Sequence, residues 1–328
     1  MLTQPSTMPS PWRASAQWLG RNGALVVLVA LVIFGAGRYD GFLGVYNITE
    51  LLRYNAMFGL LALGMTFVIM TGGIDLSVGA VAVLASVVAA QLSYLGAFPA
   101  LLGAVLAGAA VGLLNGAVIA WLGIPPFITT LAALLGARGL ALILANNAAV
   151  SVDTGAGFAS IGLDGLLGAP YPVLILFGAY LAGWVLQEHT PFGRHVLAVG
   201  GNEDATRLMG LPVRRIKLGV YGLSGGLAGL AGVLLAALTF TGLPTEGVGW
   251  ELQAIAAVVV GGTLLTGGMG SVSSTLVGTL LLGLIFNLLN FENGRGSISL
   301  TAYWQSVIRG GFLLLVVLLQ SRAARRAP

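Results

Sequence analysis

The stretch MTGGIDLSVGA, residues 70–80, separates two long apolar runs and carries Asp75, the one acid between Glu50 and Asp153. How the chain behaves here decides how the rest is read. Gly72 and Gly73 accept backbone angles that other residues avoid, so a helix can end at them. Asp75 or Ser77 can then cap the next helix by accepting from its free N–H groups, and an acid there meets the positive end of the helix dipole. One reading is a capped turn at the cytoplasmic interface. The other is a broken helix lining a polar pathway, the setting in which irregular backbone is tolerated at membrane depth.

The sequence around this stretch is that of a membrane protein. Of 328 residues, 57% are hydrophobic and 8% are charged, with a mean hydropathy of +0.95. A soluble chain is nearer a quarter charged. Residues 54–74, 76–137, 165–187, 218–245 and 252–291 hold no charge. A helical span needs about 20 apolar residues, so 76–137 alone has room for roughly three. The expected fold is all-α and polytopic, with about ten transmembrane helices at 22–37, 54–72, 76–95, 99–121, 126–145, 171–187, 217–239, 251–266, 271–290 and 303–321. The run ALVVLVALVIFGAG resembles a signal-peptide core, but in a chain with so many later spans it is expected to be a retained first helix.

Ten spans place both termini on one side, and the charges then orient the molecule. Arg13, Arg21, Arg194, Arg207, Arg214, Arg215, Lys217, Arg322, Arg325 and Arg326 fall on that side, against Arg38, Arg53 and Arg295 on the other. Excess basic charge marks the cytoplasmic side, so both termini are expected there. The expected organisation is a tail at 1–21, one transmembrane domain at 22–321 and a basic tail at 322–328. Within the domain, 146–170 is an external loop and 188–217 a charged cytoplasmic one.

Two glycine patterns bear on packing. At an offset of 189, Gly72, Gly73, Leu76, Ser77 and Gly79 align with Gly261, Gly262, Leu265, Thr266 and Gly268, a faint echo of the internal repeats of transporters. Gly108, Gly112 and Gly116 form one stripe on a helix, as do Gly225 and Gly229 on another, and small residues let membrane helices approach closely.

Much chemistry is excluded. There are no cysteines, and His189 and His195 both lie in the cytoplasmic segment, so no thiolate site or intramembrane histidine metal site is expected. The lone lysine, Lys217, follows no glycine-rich loop, which excludes a P-loop in this chain. The candidate pathway residues are Asp75, Ser77, Asn115, Phe127, Glu251 and Gln253. Charged and polar groups at depth usually face a cavity or a partner. Blander roles compete: Glu251 as an acid at a helix N-terminus and Asn115 as interhelical glue.

The cytoplasmic segment spells out a short helix over 203–209. Asn202 is its N-cap, Glu203 and Asp204 its first turn, Gly210 its C′ residue, and Pro212 follows. Leu208 and Met209 are left with no span to bury them. The helix is either a capped connector or a surface meant to dock into another cytoplasmic protein.

At this point the motifs converge. GMTFVIMTGGIDLSVGA, IPPFITTLAALLGARGL, GRHVLAVGGNEDATRLMGL and GWELQAIAAVVVGGTLLTGG resemble the membrane permeases of ribose-type ATP-binding-cassette sugar importers, over about residues 45–320. The tail LLNFENG…YWQSVIRGG is most similar to galactofuranose permeases. The resemblance implies two permeases, identical or paralogous, in the bacterial inner (plasma) membrane, two cytoplasmic ATPases that use ATP and Mg, and a periplasmic sugar-binding protein. It implies no cofactor or metal on this chain and no nucleic-acid partner. Asn202, Asp204, Ala205, Thr206 and Gly210 would form the ATPase-coupling loop of E-A-A-x-x-x-G type, with Asp for its first acid. Gln253 departs from the aspartate many relatives carry after EL. Two alternatives stay open: an importer permease for a branched-chain amino acid or a nucleoside, and an ion-coupled secondary transporter, for which Asp75 and Glu251 would be the available intramembrane acids.

Overall fold

The computed structural model describes residues 11–294 and positions 304, 307, 308, 310 and 311. It is a helical bundle: α1 Pro11–Arg38, α2 Val45–Met70, α3 Val78–Leu92, α4 Ala97–Ala117, α5 Pro126–Leu144, a single turn α6 Ser160–Leu163, α7 Tyr171–Glu188, α8 Pro191–Gly201, α9 Glu203–Leu208, α10 Val213–Thr239, α11 Trp250–Val260 and α12 Val272–Gly294. Among the described residues strand structure is confined to four two-residue segments, β1 Val150–Ser151, β2 Gly165–Leu166, β3 Ala169–Pro170 and β4 Thr241–Gly242. β1 pairs antiparallel with β4 and β2 with β3.

Among the described residues seven helices are long and apolar enough to cross a membrane, and Gly23–Arg38 and Trp250–Val260 are shorter apolar helices. The expected spans at 22–37, 54–72, 76–95, 99–121, 126–145, 171–187, 217–239 and 271–290 each fall on a helix. The tenth, 303–321, and the tail 322–328 lie outside the continuous described residues. α2, α3 and α10 are mostly buried, while α4 and α5 show most of their surface, as helices facing lipid do.

The expected span at 251–266 needs correction. Its helix, α11, stops at Val260 after 11 residues, about 16 Å at 1.5 Å per residue. That falls short of a hydrocarbon core of about 30 Å. The missing length is supplied by extended chain. Gly242 packs against Val87 and Ser86 of α3, and Gly247 against Val83 and the Gly79 carbonyl, so 242–247 runs alongside α3. The eight residues from Gly79 to Val87 rise about 12 Å, which added to α11 approaches one crossing. Gly247 and Gly249 take positive φ values of 81° and 79°, conformations that only glycine adopts freely.

The helix break in the opening stretch is real, and it has a twin. At the end of α2, the Gly72 amide donates to the Ile69 carbonyl (2.8 Å) and the Gly73 amide to Val68 (3.2 Å). At the end of α11, Gly262 donates to Val259 (2.8 Å) and Thr263 to Val258 (3.2 Å). Both are Schellman motifs, with Gly72 at φ 77° and Gly262 at φ 97° in the C′ position. The echo is therefore structural, but its register is 190 rather than 189: Gly72 matches Gly262, and Asp75 matches Leu265. The two breaks also touch. The Gly268 amide donates to the Met70 carbonyl (3.0 Å), and Gly267 lies against the backbone of Gly72.

The glycine stripes on α4 and α10 face one another. A Cβ at Gly112 would run into the Tyr221 carbonyl, and one at Gly108 into the Gly225 carbonyl. The two helices thus meet backbone to backbone along Gly108, Gly112, Gly225 and Gly229.

Candidate functional site

The sequence-predicted pathway residues separate into two places. The first is a buried polar cluster. Asp75, Ser77 and Asn115 come together there, and each is at most 2% exposed. The Asp75 Oδ1 accepts from the Ser77 amide (3.0 Å) and the Ser77 hydroxyl (2.6 Å). Its Oδ2 accepts from the Ser224 hydroxyl of α10 (3.0 Å). Asn115 of α4 donates to the Ser77 Oγ (3.1 Å). Next to Asp75, the Leu76 amide donates to Thr130 of α5 (3.1 Å).

The cluster does not cap α3 as the local pattern suggested. Ser77 occupies the N-cap position with no side-chain cap bond, and Asp75 binds the Ser77 amide rather than the free amides of α3. Its carboxylate is spent on joining the α2–α3 break to α10, and through Ser77 to α4. Sequence reasoning missed Ser224 and Tyr221, which pack against this break. Their only signal was local, a tyrosine and a serine three residues apart on one face beside the glycine pair.

The second place is a cavity of about 460 Å³ at the end of the bundle opposite α8 and α9. Ligand pockets run to roughly 300–1,000 Å³. Four aromatic rings line it, Tyr54, Phe58, Trp250 and Phe286, with the Phe58 and Trp250 rings edge-to-face at 5.5 Å. Four amides, Asn55, Gln253, Asn287 and Asn290, two acids, Glu50 and Glu246, and the Thr239 hydroxyl complete the polar lining. Glu50 is paired with Arg53 at 2.8 Å, and Arg53 also binds the Gly162 carbonyl of α6. Beneath lies a pocket of about 50 Å³ that shares Asn55, Phe58, Gln253, Gly283 and Phe286. The space thus narrows around Gln253 toward the helix breaks.

Gln253 is the one sequence-predicted residue in this cavity. Glu251 is half-buried in the first turn of α11, its carboxylate beside Gly79, which accords with an acid at a helix N-terminus. Phe127 is 54% exposed in the first turn of α5 and joins neither group. The aromatics and Asn287 come from α2, α11 and α12 and share no sequence pattern.

The segment 202–211 folds as its local grammar specifies. The Asn202 side chain accepts from the Ala205 amide (2.9 Å) at the start of α9. At the other end Gly210 takes φ 81°, its amide donates to Arg207 (3.0 Å), and the Leu211 amide donates to Thr206 (3.3 Å), a third Schellman motif. Thr206 is buried and donates to the Ala198 carbonyl of α8 (2.8 Å). Asp204 and Ala205 are exposed, and Leu208 and Met209 project at 90% and 68% exposure. Glu203 accepts from Lys217 of α10 (2.7 Å) and Arg207 (3.0 Å), which fastens α9 to the base of α10.

Comparison with known proteins gives a consistent set of similarities. Residues 47–317 match the family model described as branched-chain amino acid transport system / permease component. The chain is 37% identical to the ribose import permease protein RbsC of Escherichia coli K12 over 310 residues, covering 93% of this chain and 95% of that one. It is 41% identical to RbsC of Bacillus subtilis over 305 residues, 92% of each chain. It is 39% identical to the L-arabinose ABC transporter permease protein AraH of Azospirillum brasilense over 335 residues, covering 98% and 96%. No solved structure matches the chain.

Proposed function

The chain belongs to the transport-system permease-component family, and on that footing we propose that it is the membrane subunit of an ATP-binding-cassette importer for a monosaccharide. The observation that carries this reading is near-full-length similarity to permeases named for ribose and L-arabinose. It resides in the inner membrane as a multi-pass protein. An ATPase and a solute-binding protein are its partners, since it is one component of an importer.

The cavity fits a small neutral polyol. Aromatic faces take the apolar C–H faces of a sugar ring, and amides such as Gln253 and Asn287 both donate to and accept from its hydroxyls. Glu50 is not needed to balance a substrate charge, because Arg53 already stands beside it. A pentose or a galactofuranose-like ring suits this lining better than a branched-chain amino acid, whose two charged ends would call for opposite charges at fixed positions.

The cycle needs two states, one open outward and one inward. In the state described here the cavity is wide at the outer end and narrows at Gln253. The ATPase supplies the change by pulling on α9, whose exposed Leu208 and Met209 are its grip. Asn202, Asp204, Ala205, Thr206 and Gly210 shape that grip, and Asp75, Ser77, Asn115 and Gln253 lie along the moving core.

Reconstitution in proteoliposomes with ATPase and binding protein tests the reading. ATP-dependent uptake of a pentose or furanose is expected. Uptake confined to an amino acid, or uptake by the permease alone on an ion gradient, would refute it.

A further inference from the structure

The Tyr221 hydroxyl is buried and makes no hydrogen bond to any described group, a costly arrangement for a phenol. It is nevertheless not remote from an acceptor. It lies against the backbone of Gly73, two residues from Asp75, and within electrostatic reach of the Asp75 carboxylate. A carboxylate accepts at about four lone-pair positions. Three are filled here, two by Ser77 and one by Ser224. One vacant acceptor and one unpartnered donor therefore flank the same helix break.

Tyr221 and Ser224 are three residues apart on α10, hence on one face of the helix. We propose that Asp75 is a two-position catch for α10: Ser224 holds it in the state described here, and Tyr221 takes over when α10 moves toward the outer end of the bundle. The movement required is less than one helical turn, about 5.4 Å, and one-turn shifts of one element past another are a known form of switching.

The surroundings of α10 permit such a movement. Its contact with α4 runs along the glycine seam, where backbone lies on backbone across Gly108, Gly112, Gly225 and Gly229, with the Leu113 side chain of α4 beside it against Gly222. The Asp75 side of the catch is fixed, because Asn115 holds Ser77 and Thr130 holds the Leu76 amide. The base of α10 is tied to α9 through Lys217 and Glu203, so a force on α9 reaches α10 directly. Tyr221 is thus a positioning residue for the transport cycle and has no bond to lose in the resting state. This inference rests on the permease reading.

The test uses the complete transporter in proteoliposomes, with Tyr221→Phe and Ser224→Ala compared with the wild type. Tyr221→Phe should assemble with the ATPase and keep or raise the melting temperature of the purified permease. It should nevertheless lower sugar uptake per ATP hydrolysed by tenfold or more. Ser224→Ala should lower the melting temperature. Tyr221→Phe combined with Asp75→Asn should transport no worse than Asp75→Asn alone, since the asparagine already removes the acceptor that Tyr221 would use. Wild-type-like uptake by Tyr221→Phe would overturn the catch, and so would a fall in its melting temperature, which would mean the hydroxyl already has a partner in this state. Failure of the wild type to move sugar would instead overturn the permease reading.

Discussion

Adding one methyl group at Gly112 should destabilise the protein, while adding the same group at Gly136 or Gly178 should not. A Cβ at Gly112 would collide with the Tyr221 carbonyl and stand 3.0 Å from the backbone nitrogen and Cα of Gly225. Backbone cannot rotate away as a side chain can, so α4 and α10 must separate along the whole seam. Overpacking of this kind costs about 1–3 kcal/mol. At Gly136 of α5 and Gly178 of α7 nothing lies within 4 Å of the new carbon. There the change from glycine to alanine in a helix should stabilise by about 0.5–1 kcal/mol. The two effects run in opposite directions, so the two kinds of site differ by roughly 1.5–4 kcal/mol. At a few degrees per kcal/mol, the melting temperatures of detergent-purified variants should separate by on the order of 5 °C or more. Size-exclusion recovery after heating measures this without a thiol dye, which suits a chain with no cysteine. If Gly112→Ala melts with Gly136→Ala and Gly178→Ala, the α4–α10 seam is not the close contact described.

Three further outcomes are expected. Leu208→Asp or Asp204→Arg on α9 should abolish co-purification of the ATPase with little change in membrane insertion, and Asn202→Ala should weaken it, since losing an N-cap costs about 1 kcal/mol; wild-type recovery of the ATPase with Leu208→Asp would refute this. Gln253→Ala and Trp250→Ala in the cavity should cut uptake while ATPase assembly stays intact, and unchanged uptake in both would remove the cavity from the pathway. Gly200→Ala should impair coupling between ATP hydrolysis and uptake, because its Cβ would run into the Met70 carbonyl where α2, α8 and the 261–271 break meet; normal coupling would show that this junction does not transmit force.

What was legible in the sequence was what is encoded locally. The α9 segment was read in full, because Asn202, Glu203, Gly210 and Pro212 specify a start and a stop by their own backbone chemistry. The break at Gly72 was read for the same reason. The repeat was found but misplaced by one residue, because two glycine pairs were matched to each other. Structure aligns the residues of positive φ instead, and this puts Thr263 opposite Gly73. The short α11 was read as a full span because hydropathy does not distinguish extended from helical chain. The turn signals Pro244, Gly247 and Gly249 just before it were the available warning. The partners of Asp75 were not legible, since Ser224 is 149 residues away and only packing brings it there.

In the proposed importer, the departures from regular helix let one short helix govern a distant cavity. α8 ends at the junction where the two Schellman breaks touch, and α9 follows it directly. From that junction α2 runs up to Phe58 and Tyr54, and α11 runs up to Gln253 and Trp250, all of which line the cavity. α10 rises from its ion pair with α9 to Ser224 at the polar cluster and on to Leu235 and Thr239 at the cavity wall. A displacement of α9 therefore reaches the cavity along three stiff helices at once. Continuous spans packed side chain into side chain would resist it. The glycine contacts at 72, 200, 267 and 268, and the seam at 108, 112, 225 and 229, leave the places where helices can slip. Asp75, with its Oδ2 turned toward α10, lies where such a slip would be stopped at defined positions on the proposed catch.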